Sequence, residues 1–375
     1  MSALLVAMLF AGCSGPETRI SLEWSPEGAG AYLDRRAGWW MGWESAARDH
    51  GSFCVSCHTA LPYALARASL REALNEDGPS AGERRLLDNV IKRVRLWSEV
   101  GPYYADREDD AQKATESRGT ESVLNALILA DHDARERWFS EDARTALEHM
   151  WEQQQTTGDD AGAWPWLQFG LDPWEGKDSR YYGATLAALA AGTAPDTYRS
   201  NAAVVPRLNA LRAYLKRDYL EQPLSNRVTL LWASTKLSGL LDTEREQSLV
   251  DEIFSEQLPD GGWSLASLHK PRTSLSSRVR SWIRNDGSDG YATGLVVYVL
   301  LEANMPREDV GLQRGLSWVI AHQNKAEGFW PASSLNKHRD PSTDVGRFMS
   351  DAATAYAVLA VTKANRQPSG STQVR

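Results

Sequence analysis

Three cysteines in 375 residues are too few for a scaffold stapled by disulfides. Two of them form a C-x-x-C pair and no second pair exists, so a four-thiolate zinc site is excluded. No stretch reaches 18 uninterrupted apolar residues, and no transmembrane helix is expected. The net charge of −8 lacks the basic excess that a nucleic-acid partner would require. No segment sustains the apolar–polar alternation of a strand, so the expected fold class is all-α. What remains is ordinary for a soluble globular chain, with 24% charged and 42% hydrophobic residues and length enough for a large core. The surplus is tryptophan: 15 residues, which mark packed repeats or an aromatic-lined cavity.

Cys54-Val55-Ser56-Cys57-His58 has the form C-x-x-C-H, the attachment signature of a c-type haem. Thiols three residues apart can face one side of a helical turn and bond to two vinyl groups. The adjacent imidazole can then serve as the proximal iron ligand. This predicts one covalent haem c, with Cys54 and Cys57 as thioether residues and His58 on the iron. Met41 or His50 would supply the distal ligand, with His149 and Met150 as further choices. Three other readings stand beside it: a redox disulfide, half of a zinc site, and an incidental match. Pro62, four residues on, removes a backbone donor and is expected to turn the chain away.

Cys13 ends the apolar run from Ala3 to Gly12. This resembles a bacterial lipoprotein signal, with Phe10-Ala11-Gly12-Cys13 as the lipobox and Cys13 as the lipidated residue. That resemblance implies a periplasmic protein tethered to a membrane through its lipid anchor alone. The alternative is a short buried helix, since the run is too short to span a bilayer. The expected organisation is a signal peptide over 1–12 and a linker over 13–28. A haem-bearing helical segment over 29–95 follows, then a repeat domain over 96–365 and a disordered tail over 366–375. Helical spacing predicts helices over Ala60–Leu74, Gly82–Val100 and Thr120–Ala130.

Three internal repeats organise the larger part. The first runs through Trp151, Gln154, Gly162 and Trp164 to Tyr182-Gly183-Ala184-Thr185. The second runs through Phe254, Gln257, Gly261-Gly262-Trp263 to Tyr291-Ala292-Thr293. The third runs through Trp318, Gln323, Gly328-Phe329-Trp330 to Ala352-Ala353-Thr354. Each reads as a helix ending in an aromatic-Gln segment, a Gly-aromatic turn, a variable loop and a helix of small residues. One such hairpin cannot bury its own apolar face, so several must stack. In this scheme each turn Trp stacks on the Gln side chain and the next helix. The pattern Gln257…Asp260-Gly261-Gly262-Trp263 resembles the Gln-Trp repeat of squalene-hopene cyclases and prenyltransferases. The resemblance implies an α/α toroid, with inner and outer helices around a central cavity that could take an apolar small molecule. It implies no reaction, because neither the D-x-D-D of the cyclases nor the Asp, Cys and His zinc ligands of the prenyltransferases are present.

Asp286, Asp289 and Asp351 fall near the starts of expected inner helices. There a carboxylate is either a general acid or base, or a helix N-cap. Trp164, Trp166, Trp174, Trp263 and Trp330 are either a wall for a sugar or apolar ligand, or interhelix packing. Lys270–Arg284 reads as a polar loop over one end of the toroid. The leading functional expectation is a periplasmic haem protein with an electron-transfer or redox role and an unidentified redox partner. The alternative is a toroid enzyme acting on an isoprenoid-like or carbohydrate substrate, or a non-catalytic binding protein.

Overall fold

The computed structural model describes residues 23–105, 111–270 and 287–366. Cys13 and Asp286 lie outside them, as do the expected signal, most of the linker, the tail beyond Arg366 and all of Lys270–Arg284 but Lys270. The fold is all-α. Its helices are α1 (Pro26–Gly42), α2 (Ala60–Leu74), α3 (Ala81–Arg95), α4 (Ala111–Glu136), α5 (Glu141–Glu152), α6 (Ser179–Thr193) and α7 (Asp196–Arg199). The remainder are α8 (Val205–Asp218), α9 (Leu224–Ser234), α10 (Thr243–Ser255), α11 (Leu265–Leu268), α12 (Gly290–Glu302), α13 (Val310–Ala321) and α14 (Phe348–Asn365). Among the described residues the only sheet pairs two strands of two residues each, Ala47–Arg48 and Ser52–Phe53. No helix among them is long and apolar enough to cross a membrane.

Local chemistry sets the helix ends. Ser25, Ser80, Ser140, Asp242, Asp289 and Asp309 each accept a first-turn N–H at a helix start. Ser80 and Glu83 complete a reciprocal capping box on α3. Ser56 Oγ accepts from Thr59 and Ala60 N–H and so opens α2. Pro62 falls in the first turn of α2, where its missing N–H has no intrahelical partner to lose, so it starts the helix rather than diverting the chain.

Six helices pack in the order α2, α4, α6, α9, α12, α14 and back to α2, so the ring closes on itself. An outer helix backs each of them: α1 on α2 and α14, α3 and α5 on α4, α8 on α6, α10 on α9 and α13 on α12. Burial follows from this layering. Helices α6, α12 and α14 are buried over nearly their whole circumference, whereas α3, α5 and α10 bury only a stripe. The segment 29–95 is therefore no separate module. Its second helix is a member of the ring, lying between α14 and α4.

The repeat residues make the same hydrogen bonds in each of the three copies. The turn tryptophans donate their indole N–H to a carbonyl of the preceding outer helix: Trp164 to Met150, Trp263 to Ile253 and Trp330 to Val319, at 2.6–2.7 Å. Each glutamine amide bridges the turn glycine and the start of the next outer helix. Gln154 reaches Gly162 and Arg207, Gln257 reaches Gly261 and Gly311, and Gln323 reaches Gly328 and Ser25. The last pair ties the third repeat to the N-cap of α1 and closes the outer layer. Gly328 has φ +84°, and a Cβ there would run into the Gly28 carbonyl, so glycine is required at this seam.

The two ends of the ring differ. Connections from inner to outer helices are short: 75–80, 137–140, 194–204, 235–242 and 303–309. Those from outer to inner helices are mostly long: 43–59, 96–110, 153–178, 256–289 and 322–347. Long loops gathered on one end of a rigid scaffold are where binding groups are usually carried.

Candidate active site at the ring mouth

The C-x-x-C-H stretch lies in the first of these long loops, but inside the core. Cys54, Cys57 and His58 are 4%, 1% and 4% exposed. The His58 ring stacks on Phe348 at 3.8 Å between ring centres, with Trp40 edge-on at 5.0 Å and Trp174 at 5.9 Å. The Trp40 indole N–H donates to the Cys54 carbonyl at 2.8 Å. Thr59 Oγ1 donates its one proton to Asp351 Oδ2 at 2.7 Å, so at 2.9 Å it accepts from His58 Nδ1, which carries the imidazole proton. Burial, then Arg339 and Arg36, holds His58 well below its usual range and therefore neutral. Burial also pushes the Cys54 thiol up to about 11 and raises Cys57. Both thiols are free.

This setting does not fit a haem. A macrocycle bonded to both thiols and facing His58 would occupy the space that Phe348, Trp40 and Trp174 fill. The distal residues do not converge either. Met41 is packed in α1, His50 is exposed beside Asp49, Met150 is buried in α5, and His149 lies flat on Trp97 at 4.6 Å. Among the described residues, no three His, Cys, Asp or Glu side chains are grouped to hold a metal ion. The haem, iron and electron-transfer expectation is thereby corrected: the motif is a core turn that starts α2.

The acids of the inner helices also resolve. Asp289 caps α12, accepting from Tyr291 and Ala292 N–H at 2.9 Å, and it takes Leu265 N–H at 2.6 Å. Burial pushes it up to about 6 against the pull of those three donors. Asp351 is not a cap. It sits one turn into α14 and accepts from Arg36, Tyr32 and Thr59, joining α1, α2 and α14. Trp164, Trp166, Trp174, Trp263 and Trp330 are fully buried packing residues, so none of them walls an open cavity.

The group that stands free is Glu175, which sequence reasoning missed. Its backbone is fixed by a tight turn. Glu175 N–H donates to Leu171 C=O, and Gly170 N–H donates to Glu175 C=O, both at 2.8 Å. The preceding Trp174 donates its indole N–H to the Tyr291 hydroxyl at 3.1 Å. Trp166 donates to the Trp174 carbonyl at 2.8 Å. The turn is thus bolted to α12. The Glu175 carboxylate itself has no hydrogen bond or ion pair among the described residues. It lies deep in the protein, yet part of its side chain stays open. Burial pushes it up to about 7, against the weaker pull of Arg339 and Lys113.

Aromatic rings are carried on or beside the same long connections. Tyr104 and Phe169 meet edge to face at 5.0 Å. Trp39 and Trp43, both half-buried, stack at 5.0 Å. Cations lie over several of these rings: Arg48 on Tyr104, Lys113 on Phe169, Arg36 on Trp39 and Arg339 on Phe348. Only the density of aromatics in 164–176 hinted at this place. No spacing rule singles out Glu175, because its neighbours come from other loops.

No protein-family profile matches the chain, and no curated protein matches it. Among solved structures, a glycosidase in its wild-type form is similar at 13% identity, and a single-substitution form of a glycosidase at 12%. Each alignment covers 89% of this chain and 97% of the other, with a TM-score of 0.49. A likeness of that size carries no argument about chemistry.

Proposed function

We propose that the chain is an enzyme of the ring mouth that cleaves a carbohydrate, with Glu175 as proton donor. One observation carries this reading: an enclosed but accessible carboxyl, without a hydrogen-bond partner, at the end of the ring where the long loops gather. Such a carboxyl stays largely protonated below about pH 7, so it can give its proton to a leaving glycosidic oxygen as the C–O bond breaks and water adds its oxygen to the anomeric carbon, the water's proton returning to solvent. The faces of Tyr104, Phe169, Trp39 and Trp43 offer the flat apolar contact that the C–H faces of sugar rings require. The fixed backbone of the 170–176 turn holds the donor in place, which catalysis by positioning demands.

The test is hydrolysis of a panel of nitrophenyl glycosides, together with reducing-end release from polysaccharides, by the full chain and by Glu175→Gln. Cleavage by the native chain should fall as pH rises past about 7 and should drop at least a hundredfold in the variant. Turnover that is unchanged in Glu175→Gln, or no cleavage of any substrate in the panel, refutes the reading.

A further inference from the structure

The end of the ring opposite the mouth carries a pit of its own. Each of the six inner helices gives it one apolar or aromatic wall: Leu65 of α2, Leu127 of α4, Leu189 of α6, Trp232 of α9, Tyr298 of α12 and Leu359 of α14. Four residues further on from each of these comes a polar one: Ser69, Asp131, Thr193, Lys236, Glu302 and Lys363. Positions i and i+4 of a helix share a face, so six helices ending together stack these residues as a floor and a rim. The floor residues are 2–8% exposed, whereas Lys236 and Lys363 on the rim are 40% and 34% exposed. The space they line is about 420 Å³, within the ~300–1,000 Å³ of small-molecule sites.

The rim offers more donors than acceptors. Glu302 takes Lys363 Nζ on one oxygen at 2.7 Å and Lys236 Nζ on the other at 2.8 Å. Asp131 takes Arg135 Nε at 2.8 Å, and Arg135 also donates to Ser69 Oγ at 2.9 Å and to the Leu65 carbonyl at 3.0 Å. Both rim carboxylates are thus held by cations. Each lysine ammonium has three N–H groups and gives one to Glu302, so two remain on each among the described residues. The Trp232 indole N–H, buried in the floor, also has no acceptor among them. The negative ends of the inner helices gather here, and the cations answer them. That role uses the charge of the lysines but makes no use of their spare N–H groups or of an aromatic floor.

We propose that this pit binds a small organic anion with a flat apolar body, an aromatic carboxylate. Its ring lies on Trp232 and Tyr298, which meet edge to face at 5.2 Å, and its carboxylate on Lys236 and Lys363. The Glu302 carboxylate already spans the two ammoniums, and a second carboxylate has the same bite. A carboxylate brings acceptors alone, which is what the rim lacks. The assignment is independent of the reading of Glu175. Edge-to-face contacts link Trp174 to Tyr291 at 5.3 Å, Tyr291 to Tyr356 at 5.5 Å and Tyr356 to Trp232 at 6.3 Å, and all four rings are buried. Packed aromatic side chains thus lie between the Glu175 turn and the pit.

The experiment is calorimetric titration of the full-length protein with naphthoate, naphthylmethanol and naphthylmethylammonium. Naphthoate should bind roughly tenfold more tightly than the alcohol, and added salt should weaken the acid but not the alcohol. The ammonium should bind most weakly. Lys363→Met keeps much of the apolar stem and leaves Glu302 paired with Lys236, so the rim is then balanced in charge. That variant should bring naphthoate down to the level of the alcohol. Circular dichroism reports whether it is folded, and Lys236→Met is the same test from the other side of Glu302. Glu175→Gln should bind naphthoate as the native protein does. Equal binding of the three probes, or binding of none, overturns the assignment. So does a folded lysine variant that keeps the preference for naphthoate, or a Glu175→Gln protein that loses it, which would put the ligand at the mouth.

Discussion

Replacing Glu175 by Gln should make the protein more stable, and only at higher pH. In the folded chain burial lifts this carboxyl from an ordinary 4.5 to about 7. The folded state therefore holds the proton more tightly than the unfolded state does. Stability contributed by the neutral form is intact below about pH 4.5 and declines as pH rises through about 7. A shift from 4.5 to about 7 corresponds to about 3 kcal/mol. Because the side chain is partly open, water screens some of this, and about 1–3 kcal/mol is the expected loss. Glutamine has nearly the same shape and does not titrate. Urea denaturation at pH 4.5 and pH 8 should show similar midpoints for the two proteins at the lower pH. At pH 8 the variant should be more stable by about 1–3 kcal/mol, with the same denaturant slope. A difference that does not change with pH, or a variant that is less stable at pH 8, would refute the claim that Glu175 is an enclosed, uncompensated acid. Activity should move the other way, so one substitution separates stability from catalysis.

Three further outcomes test the frame that positions the site. Trp263→Phe removes the indole N–H from the Ile253 carbonyl, which keeps only the longer 3.3 Å bond from Glu256 N–H, and it should lower stability by about 1–3 kcal/mol in chemical denaturation. Gly328→Ala meets both a left-handed backbone and the Gly28 carbonyl, whereas Gly158→Ala has the left-handed backbone but open space. The first should therefore destabilise by clearly more than the roughly 1 kcal/mol expected of the second, and equal effects would sink the seam described between α1 and the third repeat. Asp351→Asn leaves Arg36 buried with only Asp344 to pair, so a loss of about 3–5 kcal/mol is expected in the same assay.

The sequence by itself determined the helical class and the repeat. The spacing of Leu61, Leu65 and Leu70 already implies α2, and its observed bounds are those the periodicity predicts. The recurrence of Gln, Gly and Trp marks the same joint three times, because each joint has the same three local needs: a bridging amide, a left-handed turn and an indole donor. Helix N-capping was legible at Asp289 for a similarly local reason. Everything that decided the site came from residues far apart in the chain. Whether Cys54, Cys57 and His58 face an open recess or a filled core depends on Phe348 and Trp174, which arrive from α14 and from the loop before α6. A motif records covalent spacing but says nothing of what packs against it. Asp351 becomes the anchor of a buried network only when α1 and α2 bring Arg36, Tyr32 and Thr59 to it. Glu175 is unremarkable within its own loop. The tertiary structure buries the 170–176 turn, and that burial pushes the Glu175 carboxyl up to about 7.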